Sequence, residues 1–112
     1  MMSAMDDAVG RVRAKLKEEK LDQNTLIMFI SDNGGPVMSG TTTNGSSNLP
    51  LRGSKRTTLE GGVRVPFLLA WPGRVKPSVY EQPVIQLDVH STALAACGVQ
   101  SQPEWRLDGA VS

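Results

Sequence analysis

Residues 25–35, TLIMFISDNGG, limit what this chain can fold into more than any other stretch. Five consecutive apolar residues, Leu26 to Ile30, include β-branched and aromatic types and stop abruptly at Ser31-Asp32-Asn33-Gly34. An apolar run without polar alternation predicts a strand buried on both faces. In open α/β sheets, ligands bind beyond the carboxyl ends of such strands. Asp32 and Asn33 stand at that end, and both offer oxygen donors of the kind that suit a hard cation such as Ca²⁺ or Mg²⁺. The same residues also suit a capped turn, because Asn and Gly tolerate φ > 0. Taken alone, the tetrapeptide favours the turn, since short motifs often match without function.

The elements around this stretch follow from periodicity. Residues 3–19 predict a helix, with Met5, Val9, Val12 and Leu16 on one face. Ser3 with Asp6 has the pattern of a capping box, and Asp6, Asp7, Lys15, Lys17 and Lys20 complement the helix dipole. Gly10 in mid-helix should cost about 1 kcal/mol against Ala. A polar connector, residues 21–24, leads into the strand, giving half of an α/β unit. Residues 36–50 are rich in Gly, Ser, Thr and Asn and read as a long loop, functional or mobile. They include Asn44-Gly45-Ser46, a weak glycosylation match.

Residues 51–62, LRGSKRTTLEGG, are locally basic. Gly53 and the Gly61-Gly62 pair mark tight turns or close backbone approach, and residues 57–60 suit one helical turn. Residues 63–71 predict a second strand, with Pro66 confined to its start or to an edge. Trp71-Pro72-Gly73 is a turn, residues 84–87 a short extended piece, and residues 88–97 an Ala-rich helix stopped at Gly98. The tail from residue 100 shows no regular pattern. Two buried strands do not complete a parallel sheet, so the elements suggest part of a larger domain, or a chain with an exposed edge that favours association.

The totals exclude several roles. Of the 112 residues, 39% are apolar and 21% charged, which argues against wholesale disorder. A net charge of +1 creates no field to recruit nucleic acid or a membrane. Arg52, Lys55, Arg56 and Arg64 without aromatic partners leave only a weak nucleic-acid footprint. The longest apolar run is too short to cross a bilayer, and no signal peptide is visible at Met1. A single cysteine, Cys97, excludes an internal disulfide and leaves the compartment open. It reads as a small buried apolar residue near a helix end.

Three motifs now stand in fixed order: Asp32-Asn33-Gly34, Leu51-Arg52-Gly53-x-Lys55 and Glu60-Gly61-Gly62-x-Arg64-x-Pro66. In these, and in the Trp71-Pro72-Gly73 turn and the Leu87-Asp88 segment, the chain resembles the sulfatases of the alkaline-phosphatase-like superfamily over roughly residues 4–109. The resemblance implies an α/β fold, a partial alkaline-phosphatase-like sandwich of buried, mostly parallel strands flanked by helices. It implies one partial domain over residues 1–112, corresponding to the C-terminal part of the catalytic domain, without the N-terminal half that carries the nucleophile. Asp32 and Asn33 inherit the role of divalent-metal ligands, for Ca²⁺ or Mg²⁺. Lys55 inherits the contact to the substrate sulfate, and Arg52, Glu60 and Arg64 shape the site.

The physics of those roles is coherent. A cation beside a sulfate ester offsets negative charge on its oxygens, and an ammonium adds a point charge. The family's formylglycine arises in a Cys/Ser-x-Pro-x-Arg segment, and Cys97 lacks the Pro and the Arg. The formylglycine is therefore expected only in the missing part. The paired aspartates of the family's first strand have no counterpart here, because Asp6-Asp7 lies on the amphipathic helix. His90, in Asp88-Val89-His90-Ser91-Thr92, departs from the family pattern and reads as structural or surface. The expected activity is metal-assisted hydrolysis of sulfate monoesters in a full-length parent, with this chain alone inactive. Two alternatives stay open: a phosphoester or phosphonate hydrolase of the same superfamily, and an inactive truncated fragment. Family members are often exported, periplasmic or lysosomal.

Overall fold

In a computed structural model, the structure describes residues 2–37 and 45–111. The element order is α1 (Met2–Glu18), a 3₁₀ turn (Asp22–Asn24), β1 (Ile27–Ile30), α2 (Glu60–Val63), β2 (Phe67–Ala70), α3 (Gln86–Ala96) and a second 3₁₀ turn (Pro103–Trp105). β1 and β2 form a two-stranded sheet. The Ser31 N–H donates to the Pro66 carbonyl at 3.3 Å. The end of β1 thus meets the start of β2, so this pair runs antiparallel. The mixture of helices and strands is the expected α/β class; a parallel partner for β1 is not present among the described residues. Pro66 stands just ahead of β2, where its missing N–H removes nothing from the ladder.

Two compact units emerge, Met1–Ile27 with Leu69–Gln82, and Met28–Leu68 with Pro83–Ser112. In the first, α1 begins at Met2, which places Ser3 inside the helix and removes the expected capping box. Val9 and Leu16 are half-buried, but Met5 and Val12 of the same face are exposed. Nothing lies within 4 Å of a β-carbon built at Gly10, so that glycine serves no close approach. The helix ends where Lys20 adopts φ 57, with Leu21 N–H donating to the Leu16 carbonyl at 2.8 Å and Lys20 N–H to that of Lys17 at 3.1 Å. This is a Schellman stop without its usual glycine. In the same unit Trp71 opens a turn closed by Arg74 and Val75, whose N–H groups donate to its carbonyl, and the Arg74 guanidinium lies 4.6 Å from the Trp71 ring centre.

The second unit is organised by polar atoms. Among the described residues no apolar side chain is buried; the buried side chains are Ser54, Asp88, Ser91 and Thr92, and the buried glycines are Gly34, Gly61 and Gly62. β1 is half-buried along its whole length, and β2 alternates between half-buried and exposed. The expectation of strands buried on both faces is corrected here, because neither face of the pair is fully covered. The second helical turn falls at Glu60–Val63 rather than 57–60. Leu59 is extended, at ψ 159°, so the turn begins only at Glu60, and the Gly61 N–H donates to the Arg52 carbonyl at 2.8 Å. Accordingly the second strand is shorter than the expected 63–71.

α3 starts at Gln86, two residues earlier than the Ala-rich pattern suggests. The Asp88 carboxylate reaches back to accept the Ile85 N–H at 2.8 Å, as an acidic residue at the third helical position does. Its other oxygen accepts the Ala110 N–H at 2.8 Å, and Ser91 Oγ donates to the Gly109 carbonyl at 2.7 Å, so two polar side chains dock the tail on α3. Gly98 stops the helix at φ 72. Cys97, just before it, is exposed, which corrects the buried reading: the residue sits on the outer side of the helix end. Of residues 36–50, the segment 38–44, with Asn44 of the glycosylation match, lies outside the described residues.

Candidate functional site

The tip of β1 is wound on itself. Ser31 Oγ donates to the Asn33 carbonyl at 2.9 Å, and Asn33 Nδ2 donates to the Gly34 carbonyl at 3.1 Å. The carboxamide nitrogen is thereby occupied, and its oxygen has no hydrogen-bond donor among the described residues. Asp32 is exposed, and its carboxylate has no ion-pair or hydrogen-bond partner among them. The turn reading and the ligand reading are therefore compatible: the backbone forms the turn, and three side-chain oxygens, two of Asp32 and one of Asn33, remain available.

Main-chain hydrogen bonds tie this tip to both later motifs. Gly34 N–H donates to the Gly62 carbonyl at 2.9 Å, and Lys55 N–H donates to the Gly35 carbonyl at 3.3 Å. Gly35 is three steps along the chain from Asp32, at most roughly 11 Å when extended. The glycines make these approaches possible. A β-carbon at Gly34 would land on the Gly61 carbonyl oxygen, and one at Gly62 would land on the Thr57 carbonyl oxygen. Gly53 adopts φ 112, which only glycine takes without strain. Thr57 Oγ1 closes the intervening turn, accepting from Ser54 N–H at 3.1 Å and lying 2.8 Å from the Ser54 carbonyl, to which it donates.

The side chains named from the sequence fall into two groups. Asp32, Asn33 and Lys55 sit on backbone that these bonds bring together. Lys55 is exposed, with no carboxylate partner among the described residues. Glu60 and Arg64 pair with each other at 3.0 Å, 59% and 71% exposed, across one turn of α2. Arg52 is exposed and contributes its carbonyl to Gly61. His90 is exposed on α3, in line with a surface role, and borders a shallow cavity of about 250 Å³ with Arg106 and Asp108.

Two residues that sequence reasoning missed hold the tip. Asn48 bonds to Gly35 and Gly53 through its carboxamide. Gln86 Nε2 donates to the Asp32 carbonyl at 3.1 Å and lies 3.4 Å from that of Ser31, hooking the start of α3 to the tip. Neither has a period or spacing that marks it; each is a lone polar residue, in a loop and ahead of a helix.

Among the described residues no three His, Cys, Asp or Glu side chains cluster into a metal site. Ca²⁺ takes six to eight oxygens. Asp32 and Asn33 fit one edge of such a shell by donor type, and they are too few to close it.

Comparison with known proteins gives the family. The Sulfatase family model matches residues 1–99. N-acetylgalactosamine-6-sulfatase of Sus scrofa is 36% identical over 106 residues, which cover 94% of this chain and 20% of that protein. Steryl-sulfatase of Rattus norvegicus is 38% identical over 109 residues, covering 94% and 19%. The crystal structure of Ps i-CgsB in complex with k-i-k-neocarrahexaose superposes with a TM-score of 0.86 at 39% identity, covering 98% of this chain and 24% of that one. The chain spans about a fifth of the length of the curated relatives it matches. With the family model matching most of its length, and with three motifs stitched together by backbone bonds, this chain belongs to the sulfatase family.

Proposed function

We propose that this chain carries one side of a sulfate-ester hydrolase site, in which Asp32 and Asn33 give oxygen ligands to a divalent cation, Ca²⁺ or Mg²⁺, and Lys55 contacts the sulfate. The observation that carries this reading is the bond from Lys55 N–H to the Gly35 carbonyl, which sets the lysine beside the oxygen-bearing tip. The cation, when bound, offsets charge on the sulfate oxygens. The Lys55 ammonium supplies a second, compact positive charge to the same anion. Arg52 shapes the site through its carbonyl, and the Glu60–Arg64 pair stiffens the turn that offers the Gly62 carbonyl to Gly34. The names N-acetylgalactosamine-6-sulfatase, arylsulfatase and steryl-sulfatase among the relatives support the sulfate ester over other esters.

Amide NMR of the purified chain tests the reading. Ca²⁺ should shift the signals of Asn33 and Gly34 with weak affinity, and inorganic sulfate added afterwards should shift Lys55. Asp32→Asn should weaken the Ca²⁺ response by roughly tenfold or more, the loss of one charged contact. Lys55→Ala should abolish the sulfate response and leave that to Ca²⁺ intact. The chain should turn over no sulfate ester, since it contains no Cys/Ser-x-Pro-x-Arg segment. A Ca²⁺ response unchanged in Asp32→Asn, or a sulfatase rate indifferent to that substitution, would overturn the assignment.

A further inference from the structure

Asn48 has a half-buried carboxamide that meets three main-chain groups at once. Its Oδ1 accepts the Gly35 N–H at 2.8 Å, while Nδ2 donates to the Gly35 carbonyl at 2.8 Å and to the Gly53 carbonyl at 3.0 Å. The orientation of the amide follows from its neighbours. An N–H must meet the oxygen and two carbonyls must meet the nitrogen, and a carboxamide has two donors on nitrogen to give them. Gly35 lies three residues after Asp32, and Gly53 two before Lys55. The buried Ser54 hydroxyl adds a longer contact of 3.3 Å to the Gly35 carbonyl, and itself accepts the Val37 N–H at 3.0 Å.

We infer that Asn48 is a positioning residue that sets the separation between the Asp32–Asn33 tip and Lys55. The inference rests on the cation-and-sulfate reading for its functional meaning, but its geometry can be tested without either ligand. Asn48 acts through the backbone of Gly35 and Gly53, and none of its three hydrogen bonds goes to the side chain of Asp32 or Lys55. No single-atom feature can be swapped without loss. Aspartate keeps the acceptor for Gly35 N–H, yet turns an oxygen toward two carbonyl oxygens. Alanine removes all three bonds and leaves two carbonyls and an N–H half-buried without them.

The experiment uses the whole chain with Cys97→Ser and a nitroxide attached through Asp32→Cys. The label should broaden the amide signals of Gly34, Gly53 and Lys55. With Asn48→Ala or Asn48→Asp added, broadening should be lost at Gly53 and Lys55 and kept at Gly34, whose N–H is held by Gly62 rather than by Asn48. Amide exchange should show the same split, with Lys55 losing protection and Gly34 keeping it. A parallel titration uses Mn²⁺ as the cation probe on the unlabelled chain. Mn²⁺ should broaden Asn33 and Gly34 with and without Asn48→Ala, and Lys55 only when Asn48 is present.

Each outcome decides something. If Mn²⁺ broadens nothing in the unsubstituted chain, the cation reading fails, while the nitroxide measurement still judges Asn48. If Lys55 stays broadened by the nitroxide in both Asn48 variants, the positioning role is overturned. If Gly34 loses protection together with Lys55 in both variants, Asn48 is a general structural residue, and the positioning role is overturned as well.

Discussion

A β-carbon added at Gly34 would land on the Gly61 carbonyl, whereas one added at Gly10 in α1 meets nothing within 4 Å. The two glycines belong to regions that hold their shape by different means. Around Gly34, loops cross close enough for main chain to bond main chain, and the interior is glycine and hydrogen-bonded polar side chains. α1 is held by its own i→i−4 ladder, with Met5 44% and Val12 61% exposed. In the first region, shape depends on residue identity at a handful of positions. In the second it depends on average propensity, and almost any helix-forming residue would serve.

The sharpest way to break this contrast is the same substitution in both places. Gly34→Ala should destabilise the loop region by roughly 3 kcal/mol, because the atom in the way is backbone and cannot rotate aside. Gly10→Ala should stabilise α1 by about 1 kcal/mol, with open space around it. Amide exchange reads both: protection at Gly34 and Lys55 should collapse in the first variant, and protection along α1 should rise in the second. Effects of the same sign would erase the distinction.

Asp88 extends the first principle to a helix. It is 8% exposed, and its two oxygens accept N–H groups from residues on either side of α3, Ile85 and Ala110. Asp88→Ala should cost about 2 kcal/mol, the range for bonds to a charged acceptor. The loss should show as exchange at Ile85 and Ala110 together. If only Ile85 responds, Asp88 is an ordinary helix cap and the tail docks by other means.

The contrast also explains what could be read before any coordinates. The motif region was legible because short spacings there demand particular residues. Gly53, Gly61 and Gly62 stand out as glycines in a row of side chains, and the structure shows a carbonyl or a left-handed φ at each. Gly98 was legible for the same reason, as a helix stop with φ 72. The end of α1 was legible to within a residue from the polar connector that follows it, although the left-handed Lys20 that makes the stop carries no signature of its own. Burial was misread wherever it was inferred from apolar character alone. The apolar run of β1 is only half-buried and Cys97 is exposed, since apolar residues announce that they favour cover and say nothing of whether cover is present. Asn48 and Gln86 escaped because a lone carboxamide has no period; their partners lie 13 and 54 residues away in sequence.

The smallest effect should come from the charges on α1. Lys15 lies 2.6 Å from Glu19 and 3.2 Å from Glu18. Glu19 first, and then Glu18, raise its ammonium above the ordinary lysine value. A raised value means that the folded helix holds the proton more firmly than the unfolded chain. That contribution is complete below the ordinary lysine value and disappears as pH climbs through the folded one. It is small, because the side chain is fully solvated and screened, and because glutamates near a helix C-terminus oppose the dipole. Lys15→Ala should therefore leave the helicity of α1 unchanged at neutral pH, alanine's higher propensity offsetting the lost pairs. In strongly alkaline solution the unsubstituted chain should lose a little helicity that the variant retains, measured as the difference between their far-ultraviolet circular dichroism curves. A larger loss at neutral pH would show that α1 leans on specific contacts after all, as the Gly34 region does.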